Sequence, residues 1–177
     1  MGNAIKDRYN YESLRKLALD IKSVYSDFQT DVFLQSTIDE TWEARELKDR
    51  ITRISENLGK YLPADFETAV GIIDQIVMNY GSWLDNYAGF FPGFVELYGR
   101  DEANWDISMA ALARYTQYAS SEFAVRWFII NHEERMMKQM YAWSKDENEC
   151  IRRLASEGCR PALPWGQALT GFKKDPA

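Results

Sequence analysis

The sequence predicts an all-α protein, and three observations lead there. Apolar residues recur at spacings of three and four along most of the chain, no segment alternates apolar and polar as a strand would, and short turn signals separate the helical stretches. Tyr11, Leu14, Leu17, Ala18, Ile21, Val24 and Tyr25 form one stripe, which makes a first helix. A short second segment covers residues 31–38. A third runs over 41–61, with Leu47, Ile51, Ile54 and Leu58 on one face and Glu43, Arg45, Glu46, Lys48 and Asp49 elsewhere; Gly59 and Pro63 end it. Pro63, Ala64 and Asp65 open a fourth helix that buries Phe66, Ala69, Val70, Ile73, Ile76 and Val77. Residues 81–99, rich in glycine and aromatics, break the pattern. Helices follow over 105–118, 120–131, 133–144 and 147–157, the last with Asp146 and Glu149 spaced as a capping box.

Composition sets bounds of its own. With 177 residues, 46% of them hydrophobic and 14% aromatic, the chain can bury one core, so a single domain over 1–177 is expected and a disordered chain is excluded. No apolar run reaches the length of a membrane span, and MGNAIKDRYNYESL lacks the apolar stretch of a secretory signal, so a cytoplasmic protein without a membrane partner is expected. The MGNAIK start is no myristoylation signal, because Lys6 stands where Ser or Thr is needed. Cys150 and Cys159 have no CxxC spacing and the chain holds one histidine, which gives no metal set; both cysteines read as reduced, partly buried thiols. The net charge of −6 argues against nucleic acid when taken whole. It is unevenly placed: residues 1–121 hold 12 Lys and Arg against 19 Asp and Glu, net −7, and residues 122–177 hold 9 against 8, net +1. The second part permits DNA binding without requiring it.

The most informative stretch is IRRLASEGCRPALPW, residues 151–165. Glu157 falls in the last turn of its helix, where the dipole disfavours a carboxylate. One reading makes Glu157 a solvated side chain before a glycine C-cap at Gly158, with Trp165 as core filling; the other makes Glu157 functional. The runs RRLASEGCRPALPW, SSEFAVRWFI at 120–129 and ALTGFKKDP near the end resemble the AlkC-type family of DNA alkylation repair glycosylases, and ISENLGKYLP and FPGFVELYG follow that family's pattern in the same order. The resemblance covers roughly residues 45–177. It implies a HEAT-like array of antiparallel helix pairs, an α-solenoid, that excises cationic N-alkylated bases such as 3-methyladenine from double-stranded DNA by hydrolysis of the N-glycosidic bond, without a cofactor.

The chemistry can be stated from first principles. Alkylation of a ring nitrogen such as N3 of adenine makes the base cationic, so the glycosidic bond is weakened and the base departs neutral without a general acid. What remains is to stabilise positive charge, on the base by aromatic faces and on the oxocarbenium-like sugar by carboxylates that also orient a water. By motif position, Glu122 and Glu157 match the family's catalytic acids and Trp165 an aromatic lining the lesion pocket. Glu122 also has a plain explanation, since an acid in the first turn of a helix is favoured by the dipole. Arg126 lies one turn on from Glu122, at pairing distance on a helix face, and Arg126, Arg152, Arg153 and Arg160 are the candidate contacts to DNA; a solvated helix face explains Arg152 and Arg153 equally well. Ala162 stands where the family pattern carries a basic residue and Trp127 where it carries proline. Family members continue through further repeats that hold a third acid, so the chain reads as a shortened member, expected to release little base on its own. The alternative is an inactive helical-repeat interaction module, which the acidic net charge favours.

Overall fold

The computed structural model describes residues 5–81, 88–164 and 166–174, and among them every regular element is helical. In chain order these are α1 (Tyr11–Val24), α2 (Thr30–Thr37), α3 (Leu47–Tyr61), α4 (Phe66–Ile76), α5 (Phe90–Tyr98), α6 (Trp105–Tyr115), α7 (Ala124–Asn131), α8 (Glu133–Trp143), α9 (Glu149–Gly158) and α10 (Thr170–Lys174), with 3₁₀ turns between some of them. Neighbours in sequence are neighbours in space. α1 packs on α2, α2 on α3, α3 on α5, α5 on α6 and α7, α7 on α8, and α8 on α9, while α4 bridges from α1 to α5 and α6. This is the HEAT-like array of helix pairs. Its buried apolar residues form one cluster running from Tyr9 to Leu169. No helix among the described residues is long and apolar enough to cross a membrane.

Three sequence expectations are corrected. The third helix is broken at its start: a 3₁₀ turn covers Trp42–Ala44, and Arg45 and Glu46 are extended before α3 begins. The cause is local competition, because the Asp39 carboxylate accepts from the Thr41 N–H at 3.0 Å and the Thr41 hydroxyl at 2.7 Å, an alternative to helical bonding. The second correction is larger, because residues 90–98, read as part of a break, form a buried central helix packed on α3, α6 and α7. α5 has no polar stripe to betray it: Phe90, Phe91, Pro92, Phe94 and Val95 are all buried, so the 3.6-residue period is lost in uniform apolarity. Pro92 is harmless in the first turn, where N–H groups lack helical acceptors anyway. Gly93 permits the close crossing of α3, since a Cβ there would lie 2.5 Å from Ser55 Oγ, whose hydroxyl donates to the Phe90 carbonyl at 3.0 Å. Third, α9 starts at Glu149 and is capped by Asn148, whose side chain accepts from the Cys150 N–H at 2.9 Å; Asp146 instead accepts from the Asn148 N–H at 2.8 Å. The proposed Asp146–Glu149 capping box is therefore replaced by an Asx turn leading into an Asn cap.

The helix that opens at Phe66 behaves as expected. Asp65 accepts from the Thr68 N–H at 2.8 Å and the Thr68 hydroxyl at 2.6 Å, and the hydroxyl bond, followed by the backbone bond, holds its carboxyl below the ordinary value of 3.8. A lowered folded-state pKa contributes stability that is present above the unfolded value and lost as pH falls through the folded one. Asp65→Ala therefore lowers Tm at pH 7, and the gap to the parent closes in strong acid. Equal gaps at pH 7 and pH 2 in thermal melts would refute this account of the cap.

Candidate active site

Two short segments bring the predicted acids together. The first is the turn between α6 and α7. α6 ends at Tyr115, and α7 begins only at Ala124, because the buried Ser121 hydroxyl donates to the Leu112 carbonyl at 2.9 Å and pins the turn to α6. The Glu122 N–H donates to Ser120 Oγ at 3.3 Å, and the Val125 N–H to the Ser121 carbonyl at 3.1 Å. Glu122 is thereby held just ahead of the first turn of α7, where the helix dipole favours a carboxylate. It is 7% exposed, and a charge so buried requires a partner. That partner is Arg153 of α9, whose guanidinium forms an ion pair with Glu122 Oε1.

The second segment is the end of α9. Ile151, Leu154, Ala155 and Gly158 make its buried stripe, which leaves Glu157 on the flank at partial exposure. Arg160 lies three residues on, and its guanidinium meets the Glu157 carboxylate at 2.7 Å, which offsets the unfavourable end of the dipole. Glu157 raises the pKa of Arg160 through this hydrogen bond and its charge, and Glu122 adds to the rise. Glu122 pairs with Arg153 and Glu157 with Arg160, and because Arg153 and Glu157 lie one turn apart on α9 the two pairs are neighbours, two acids and two bases in all.

Gly158 is not the left-handed C-cap of the plain reading. It is the last residue of α9, with Cys159 as the cap at φ −86°, and its missing side chain serves packing. A Cβ on Gly158 would lie 2.9 Å from Val125 Cγ2 and 3.2 Å from Met140 Cε, so α7, α8 and α9 meet over it. Gly158→Ala loses about 1–3 kcal/mol to overpacking, against a gain of up to about 1 kcal/mol in helix propensity, for a net loss read in urea titrations. A variant as stable as the parent would show that the three helices yield freely here.

The arginines are placed differently from one another, and one expectation is overturned. Arg126 is fully buried: its Nη1 donates to the carbonyls of Gly158 at 3.1 Å and Arg160 at 3.0 Å, its Nη2 to that of Pro161 at 3.5 Å, and its Nε to that of Gln167. It therefore neither pairs with Glu122 nor reaches a phosphate, because every donor is turned inward to backbone oxygens. Burial lowers its pKa. Arg152 folds back on the turn ahead of its own helix, donating to the carbonyls of Asp146 at 2.8 Å and Glu147 at 2.7 Å. Arg160, with half its side chain exposed, is the most accessible cation of the cluster. Trp165 lies outside the described residues. Cys150 and Cys159 are free, half-buried thiols whose pKa values are raised by burial.

Sequence reasoning missed a cavity of about 200 Å³ bordered by Ser120 and Phe123 of the turn that carries Glu122. Ile51, Pro92, Phe123 and Ala124 give it apolar walls, and Lys48 and Glu96 are its charged lining. Burial raises the Glu96 carboxyl, against the opposing pull of Arg100 and Lys48. With α5 unrecognised, no signal in the sequence located it.

No family model matches the chain. A curated relative, the uncharacterised protein YhaZ of Bacillus subtilis strain 168, is 39% identical over 174 residues, which is 98% of this chain and 47% of that protein. Among solved structures, the alkylpurine DNA glycosylase AlkC of Pseudomonas fluorescens, bound to DNA containing an abasic site analogue, superposes with a TM-score of 0.91 at 35% identity over 99% of this chain and 48% of its own. The chain shares the helical-repeat fold of that glycosylase along nearly its whole length. It spans about half the length of both relatives. Within the AlkC-type array, the cluster of Glu122, Glu157, Arg153 and Arg160 lies where α9 and the turn ahead of α7 come together.

Proposed function

We propose that the chain acts in DNA alkylation repair, as part or all of a glycosylase that hydrolyses the N-glycosidic bond of cationic N-alkylated purines such as 3-methyladenine. The observation that carries this reading is the pairing of Glu122 with Arg153 and of Glu157 with Arg160 at one helix, α9, in a chain that superposes along nearly its whole length on an alkylpurine DNA glycosylase. Glu122 and Glu157 stabilise the oxocarbenium-like sugar and orient the attacking water, while the cationic base leaves neutral. Both acids are paired with arginines in the free protein. A DNA phosphate offers Arg153 and Arg160 a competing partner, so DNA binding frees carboxylate charge at the place where sugar cation develops.

The test has a binding arm and a release arm. The chain should bind a duplex containing an abasic-site analogue more tightly than the intact duplex, and binding should weaken as salt rises because phosphate contacts release counterions. Release of 3-methyladenine is measured on this chain and on this chain fused to the portion of the Pseudomonas relative that it does not span, with more release expected from the fusion. Salt-insensitive or absent binding, together with no release by a folded fusion, would replace this reading with that of a helical-repeat interaction module.

A further inference from the structure

We infer that Arg126 is a positioning residue: its buried guanidinium ties α7, whose leading turn carries Glu122, to the backbone of residues 158–167, and so sets the geometry of the site without touching DNA. The inference rests on the glycosylase reading for its functional part and on geometry for the rest. The segment after α9 is anchored by the buried Leu169 and, among polar contacts, by Arg126. Among the described residues its backbone bonds are Arg160 N–H to the Glu157 carbonyl, Gly166 N–H to that of Leu163 and Leu169 N–H to that of Pro161, all within the segment or to the end of α9. Across to α7 the bonds come from one side chain, reaching Gly158, Arg160, Pro161 and Gln167, the first and last of which bound a stretch of ten residues. Gly166 lets that side chain pass, since a Cβ there would be 3.3 Å from Arg126 Cδ. A planar guanidinium is suited to this task because its donors diverge in a fixed fork, whereas the rotating ammonium of lysine is a single point of attachment. One end of the clamp is four residues from Glu122, and the other holds the carbonyl of Arg160, the residue that pairs with Glu157. Arg126 thereby links the two acids mechanically.

Arg126→Lys and Arg126→Met test this by three readouts. Cys159 lies inside the clamped segment and Cys150 at the opposite end of α9, so iodoacetamide labelling resolved by peptide mass reports local opening against an internal control. Arg126 lowers the pKa of Cys159 against the rise from burial. Its loss would therefore slow Cys159 through a smaller thiolate fraction, and faster labelling can come only from opening. The expected result is labelling of Cys159 at least about tenfold faster in both variants with Cys150 unchanged, the factor that corresponds to about 1.4 kcal/mol of lost protection. Preference for abasic-analogue duplex over intact duplex falls in both variants while the slope of affinity against salt keeps its parental value; a direct phosphate contact would reduce that slope by about one unit. Unchanged Cys159 labelling in a folded Arg126→Met protein, or a reduced salt slope, overturns the inference. If the parent binds no DNA and the folded fusion releases no base, the glycosylase reading fails while the labelling arm still decides the clamp. Should neither variant fold, the parent carries the test through its arginine Nε–H signals. Arg126 is wholly buried and donates Nε to a carbonyl, so its signal, assigned through its bonds to the isotope-labelled Arg126 backbone, should exchange slowly; fast exchange of the assigned Arg126 Nε–H would overturn the clamp.

Discussion

Replacing Glu122 by glutamine slows release of 3-methyladenine by about 10²–10³, or about 3–4 kcal/mol of transition-state stabilisation, while the helical circular-dichroism signal stays at the parental level. The substitution removes charge at constant shape. Its cost to folding is small, because Arg153 keeps a third of its side chain in solvent and rehydrates when its partner is neutralised. Glu157→Gln shows the same direction at the lower end of that range, since Glu157 is the more exposed acid and water already screens part of its field. Trp165→Ala costs less than either, about 0.5–2 kcal/mol, which is the worth of a cation–π contact. The measurement is single-turnover release from a methylated duplex by whichever form of the protein is active. Parental release by Glu122→Gln would remove Glu122 from the chemistry and leave it as an α7 dipole partner.

Phe91→Ala has the largest expected effect on stability, about 3–5 kcal/mol, which lowers Tm by on the order of 10 °C. Phe91 is fully buried in α5, with its ring centroid 5.2 Å from that of Tyr80, 4.6 Å from Phe90 and 6.2 Å from Tyr115. These partners come from the turn after α4, from α5 itself and from α6, so no single element can collapse into the void. Burial in this cluster also raises the Tyr115 phenol far above its ordinary value. A loss below about 1 kcal/mol in urea unfolding would mean that α5 is not the central packing element described here.

The same helix shows where sequence reasoning reaches and where it stops. α1, α3 and α9 were legible because each is half wet, so that Leu14, Leu17 and Ile21, or Ile151, Leu154 and Ala155, stand out against polar neighbours. α5 has almost no wet face, and its Gly93 and Pro92 resemble turn residues. Glu122 and Glu157 were legible through motif position, and Glu157 also through an unfavourable place on its helix. Their counter-ions were not. Arg153 and Arg126 are both arginines within helices, and spacing alone assigned Arg126 to Glu122. The array's third dimension decides otherwise: α9 delivers Arg153 to Glu122, and Arg126 turns the other way, to carbonyls that a sequence does not display as acceptors.

The notch at Gly158 has a consequence for divergence within such arrays. Val125 and Met140 press on the backbone one residue away from Glu157, at a point with no side chain to absorb displacement. An added or deleted methyl on either would shift the backbone next to Glu157, and the carboxylate with it, as a lever moves about a fulcrum. On the glycosylase reading proposed above, lesion preference is then open to tuning from the hydrophobic interior, through nothing more than the bulk of a valine.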